Sequence, residues 1–119
     1  MPFKTILKEL VETTPGANGA ILADWEGEAV EQYCMTDTFE LKVTAAHNGI
    51  ILNQLKDVLA NFPAGGLRDA VITTASRHAI VGPVGSDYSL VMTLDRAAVI
   101  GLALSRFTRT VRLLMKEIY

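Results

Sequence analysis

Apolar residues along this chain alternate between a spacing of three to four and a spacing of two. Phe3, Ile6, Leu7, Leu10 and Val11 recur at helical steps behind Pro2, a residue suited to a first turn, and Pro15 and Gly16 close that helix. Asn18–Asp24 is a short apolar run, Asp24–Gly27 (DWEG) is a turn signal, and Glu28–Cys34 is a second strand, which makes a hairpin. Asp37 or Thr38 supplies an N-cap for a second helix, Glu40 suits its dipole, and Phe62–Gly66 (FPAGG) stops it. Arg68–Ala75, Arg77–Val84 and Asp87–Leu94 follow, separated by only one or two residues, so they pair as antiparallel neighbours. Pro83 has no backbone donor and belongs at a strand end or bulge, so GPVGSD reads as that end plus its turn. Between Ala97 and Tyr119, the residues Ile100, Leu104, Phe107, Val111, Leu114 and Ile118 share one face of a closing helix.

This order, α-β-β-α-β-β-β-α, predicts an α/β fold of the α+β sandwich kind, one domain spanning residues 1–119. A five-stranded antiparallel sheet with the long middle helix on one face and the terminal helices on the other buries every apolar stripe. The middle helix has oil on two sides. Leu41, Ala45, Leu52, Leu55 and Leu59 run its whole length, as packing on its own sheet requires. Phe39, Val43, Ala46 and Ile50 lie roughly opposite and stop halfway, where Asn53, Gln54 and Asp57 take over. A half-length apolar patch with a polar rim has the form of an interface; a long loop of the same chain covering it is the alternative.

The strand edges bear on the same question. Glu28 and Glu31 in the second strand discourage strand addition, whereas Ala70, Val71, Ile72, Thr73 and Thr74 carry no charge, proline or glycine. Two copies joined through that unguarded strand, with two middle helices side by side, would cover both surfaces about one two-fold axis. A hydrophobic content of 50% agrees, being high for a chain of 119 residues standing alone.

Other totals exclude function classes. A net charge of -2 gives no basic field for nucleic acid. The longest apolar stretch, Ala97–Leu104, is too short to span a bilayer, and the amphipathic start is unlike a secretory signal, so a cytoplasmic location and no membrane insertion are expected. Cys34, alone in the sequence, reads as a buried structural thiol. One cysteine and two histidines, His47 and His78, cannot make a zinc set, and no phosphate-cradling G-x-x-x-x-G-K-[ST] loop occurs, so no metal or cofactor is expected. His47 falls beside the dimer patch and His78 at the start of a strand, both as ordinary surface or seam residues. Ser76, Ser86, His78 and Asp87 form a hydrolytic triad only on paper, without a G-x-S-x-G elbow. Trp25 and Glu26 in the first turn fit a residue lying over the sheet better than a ligand grip.

Charge is divided along the chain. Glu9, Glu12, Asp24, Glu26, Glu28, Glu31, Asp37 and Glu40 occur in a stretch with no lysine or arginine. Arg106, Arg109, Arg112 and Lys116 line the last helix opposite its apolar face, a solvated side or a dock for an acidic partner.

The segment ANGAILADWEGEAV resembles the first hairpin of the roadblock family, named for the dynein light chain, with its "gail.d.eG" signature. YSLVMTLDRAAVIGLALSRF is similar to that family's last strand and helix, with Gly101 in the first turns. The resemblance covers essentially the whole chain. It implies a homo- or heterodimer in which strands after the long helix, here Arg68–Ala75, pair into a continuous sheet beside two adjacent helices, here Phe39–Phe62. It also implies one of the family's roles, which are binding of a Ras-like small GTPase, scaffolding and attachment to dynein, and nothing in this sequence points to the last. Single-domain prokaryotic members are similar to a polarity regulator that stimulates hydrolysis by its GTPase, by reshaping switch regions rather than by catalytic residues of its own. The expected function is therefore a homodimeric regulator or scaffold rather than an enzyme. A small-molecule sensor module and a passive adaptor are the alternatives.

Overall fold

Strict alternation in the central strands sorts their side chains onto two faces, and those faces organise the structure. The computed structural model describes residues 2–24, 28–35 and 68–119. The middle helix expected at Phe39–Phe62, with its cap at Asp37 or Thr38 and the dimer patch Phe39, Val43, Ala46, His47 and Ile50, lies outside them. So do Trp25 and Glu26. The described elements are α1 (Pro2–Thr13), β1 (Ala17–Asp24), β2 (Ala29–Cys34), β3 (Ala70–Thr73), β4 (Arg77–Val84), β5 (Tyr88–Asp95) and α2 (Ile100–Ile118). The sheet order is β2-β1-β5-β4-β3 with every neighbour antiparallel.

Ala20 and Leu22 of β1, Ile80 and Val84 of β4, and Leu90, Met92 and Leu94 of β5 point to one face. There they pack with Leu7, Leu10 and Val11 of α1 and with Ala103, Phe107 and Leu114 of α2, all buried. Both terminal helices therefore share a face, as the pattern predicts. The alternate positions Ile21, Val81 and Val91 form a second buried cluster on the opposite face, with Ala70, Ile72 and Cys34 against it. Cys34 is half-buried there rather than fully enclosed.

Local chemistry explains the chain reversals. Gly16, at φ 87°, follows α1 where a Cβ would stand 2.8 Å from that of Ala98, and its carbonyl accepts the Asp95 N–H at 2.7 Å. Gly85, at φ 66°, opens the turn after β4, and the Tyr119 ring occupies the space a Cβ would need. Tyr119 also donates to Asp87 at 3.2 Å, tying the end of α2 to that turn. Pro83 is the penultimate residue of β4. The β3–β4 register ends at Ala70–Val81, so the side of Pro83 that lacks a donor faces no β3 partner.

One boundary differs from expectation. The last helix begins at Ile100, not Ala97, because Ala98 N–H closes a turn on the Asp95 carbonyl at 3.0 Å before the helix starts. Its buried side centres on Ala103, Phe107, Thr110 and Leu114, with Leu104, Val111 and Ile118 of the expected face packed partly buried against the same core. Gly101 stands exposed with open space around its Cβ position, and nothing in the described residues explains a glycine there.

Tyr33 joins α1 to the edge strand β2 by donating its hydroxyl to Glu12 Oε2 at 2.7 Å. That bond to a carboxylate, with partial desolvation and the negative charge beside it, raises the phenol above its usual range. A raised phenol contributes stability below the ordinary phenol range and loses it as pH rises through the shifted value. Absorbance titration is expected to show Tyr33 ionising above the ordinary phenol range, and Glu12→Gln to lower it.

Candidate interaction site

Two surfaces carry the predicted interaction residues. The first is β3. Thr74 N–H donates to the Arg77 carbonyl at 2.9 Å, and alternation from that pair makes Ile72–Ala79 and Ala70–Val81 the bonded pairs. The N–H and C=O groups of Val71 and Thr73 therefore point away from β4. Among the described residues no strand meets them, and Val71 is 40% exposed. Ile72 faces the second apolar cluster. Thr74 lies beyond β3, in the turn, where its Oγ1 donates to the Arg77 carbonyl and accepts the Arg77 N–H, each at 3.2 Å.

The opposite edge is built differently. Glu28 precedes β2 and Glu31 lies within it. The pairing steps from Leu22–Glu31 to Ala23–Ala29, which leaves Val30 as an extra, bulged residue. Charge and a bulge both oppose strand addition. One edge of this sheet is guarded and the other is clean.

His78 is buried, contrary to its expected place at the surface or a seam. Its Nε2 is 2.9 Å from the Arg96 carbonyl, which can only accept, so Nε2 carries the hydrogen. Nδ1 stands 2.7 Å from Thr73 Oγ1. The imidazole thus pins β3 and the turn after β5 to β4, a structural task that occupies both nitrogens. The paper triad is pulled apart: Ser86 and Asp87 lie beyond Val84, about 20 Å along β4 from His78 at ~3.3 Å per residue.

The second surface is α2. Arg109, Arg112 and Lys116 are exposed, but Arg106 is half-buried on the flank that α1 covers, not opposite the apolar face. Its Nε is enclosed without a hydrogen-bond partner among the described residues. Arg106, Arg109 and Arg112 meet Arg68, from the segment leading into β3, around an open hollow of about 620 Å³ that also includes Ser105 and Thr108. Lys116 does not line it. Arg68 is the contributor that sequence reasoning missed, for it stands far from α2 along the chain and only the fold brings it over. A second hollow of about 240 Å³ adjoins, lined by Pro83, Phe107 and Val111 and sharing Arg68, Thr108 and Arg112.

A Roadblock/LC7 domain profile matches residues 4–94, from α1 to the end of β5. The chain belongs to the Roadblock/LC7 family. No match was found among curated proteins. Solved structures of similar fold include a Roadblock/LC7 domain from Streptomyces avermitilis, at 18% identity and TM-score 0.86, covering 97% of this chain and 96% of that one. Myxococcus xanthus MglB superposes with TM-score 0.87 at 16% identity, covering 99% and 95% of the two chains. An MglB structure with a tetrameric arrangement gives TM-score 0.84 at 17% identity, covering 96% and 86%. This roadblock domain thus keeps the sheet order and shared helical face derived above. Among its described residues, no helix is long and apolar enough to cross a membrane.

Proposed function

We propose that this roadblock domain is a homodimeric regulator that binds a Ras-like small GTPase and biases its nucleotide cycle or its position. The asymmetry between the two sheet edges carries the reading. An uncharged strand with outward-pointing backbone groups is a template for a second copy of itself, and a two-fold axis would turn two five-stranded sheets into one. Family membership and the tetrameric arrangement of one MglB structure support the same view. Phe39, Val43, Ala46, His47 and Ile50 complete the proposed seam from the sequence side. The GTPase follows from what the family resemblance implies; the partner would supply the nucleotide chemistry, and this chain a preference among the partner's conformations.

Light scattering is expected to give about twice the chain mass of 12.9 kDa. Single-turnover GTP hydrolysis by candidate Ras-like GTPases, with and without the protein, tests the second half. A changed rate indicates regulation, binding without a change indicates an adaptor, and no complex with any candidate rejects the assignment.

A further inference from the structure

We infer that the hollow framed by Arg68, Arg106, Arg109 and Arg112 docks a short acidic, leucine-bearing segment of another protein. This surface lies on α2, with Arg68 added from the segment leading into β3, and does not rest on the GTPase assignment. None of the four guanidinium groups makes an ion pair or hydrogen bond within the described residues. Clustered like charges repel one another, and an anionic ligand relieves that repulsion. Each planar fork can grip a carboxylate through two parallel hydrogen bonds.

The dimensions favour a peptide. Arg106 to Arg112 spans about 9 Å of helix at 1.5 Å per residue, which matches roughly three residues of extended chain. The adjoining hollow at Pro83, Phe107 and Val111 is apolar and lies between Arg68 and Arg112, so it would take an aliphatic side chain next to a bound carboxylate. A continuous polyanion fits less well. Asp69 lines the apolar hollow and Glu9 shares the narrow α1–α2 cleft with Arg106 and Arg109, so acids bound the cationic area on both sides. The net charge of -2 gives the rest of the surface no hold on nucleic acid or an anionic membrane.

The test is fluorescence anisotropy with the full chain and a fluorescein-labelled peptide, Leu-Glu-Glu-Leu-Glu-Gly, run against its glutamine counterpart, inorganic phosphate and phosphatidylserine vesicles. Saturable binding of the glutamate peptide is expected. It should weaken at least tenfold for the glutamine peptide and for Arg109→Glu or Arg112→Glu, while Lys4→Glu, on the exposed side of α1, leaves it unchanged. Circular dichroism checks the fold of each variant, and Arg109→Gln with Arg112→Gln replaces any that fails to fold. No binding, equal affinity for both peptides, or indifference to the arginine variants would overturn the inference. So would arginine-dependent binding of phosphate or vesicles as tight as that of the peptide. Loss of self-associated mass in the arginine variants without any peptide would assign the hollow to a second copy and overturn it too.

Discussion

Phe107→Ala is expected to cost about 3–5 kcal/mol of folding stability, the range for emptying a large aromatic site in a packed interior. The ring is 1% exposed and sits where α2 presses on the sheet, among Ile80, Val84, Leu90 and Met92. Its Cε1 lies 3.0 Å from the point where a Cβ on Gly82 would stand, so β4 approaches the ring at a residue with no side chain to fill the gap. Backbone on that side cannot collapse freely into the cavity, which places the loss towards the upper end. Against a typical total of about 5–15 kcal/mol, such a loss would bring many domains near their limit. Urea denaturation at fixed protein concentration measures it, the fixed concentration being needed because self-association would add to apparent stability. A loss under about 1 kcal/mol would mean that the ring is not the packing centre described here.

The elements most legible in the sequence are those whose signal is local. Arg77–Val84 was readable residue for residue because its apolar run is bounded by a turn on each side. The contrast between a guarded β2 and a clean β3 was written in Glu28 and Glu31, although only the sheet order makes both of them edges. What could not be read depends on contacts between distant parts of the chain. His78 follows Arg77 and looks wet, yet a carbonyl eighteen residues later and a threonine across the hairpin bury it. Arg106 falls on the polar side of a helical wheel drawn from the long apolar residues. The wheel misleads because it leaves out Ala103 and Thr110, which are buried, and small side chains add little to a hydrophobic count. Arg68 joins the arginines of α2 by the same kind of distant contact. Periodicity thus located the described elements, whereas composition of the candidate site required the fold.

Val71→Pro is expected to separate the proposed dimer while leaving each copy folded. Proline removes the one donor at position 71, and the pairing pattern aims that donor outward rather than at β4. No intrachain ladder bond is therefore lost. Proline's fixed φ is compatible with an edge strand, and Ala70 before it is already extended, as that position demands. In a symmetric pair each substitution acts twice. Two lost interchain bonds at about 1 kcal/mol each correspond to a roughly thirtyfold rise in the dissociation constant, before the ring's clash with the opposing strand is added. Analytical ultracentrifugation across a concentration series should show the shift, with far-ultraviolet circular dichroism unchanged. A Val71→Pro protein that stays paired at unchanged affinity would mean that two copies meet elsewhere, and the clean edge of β3 would need another explanation.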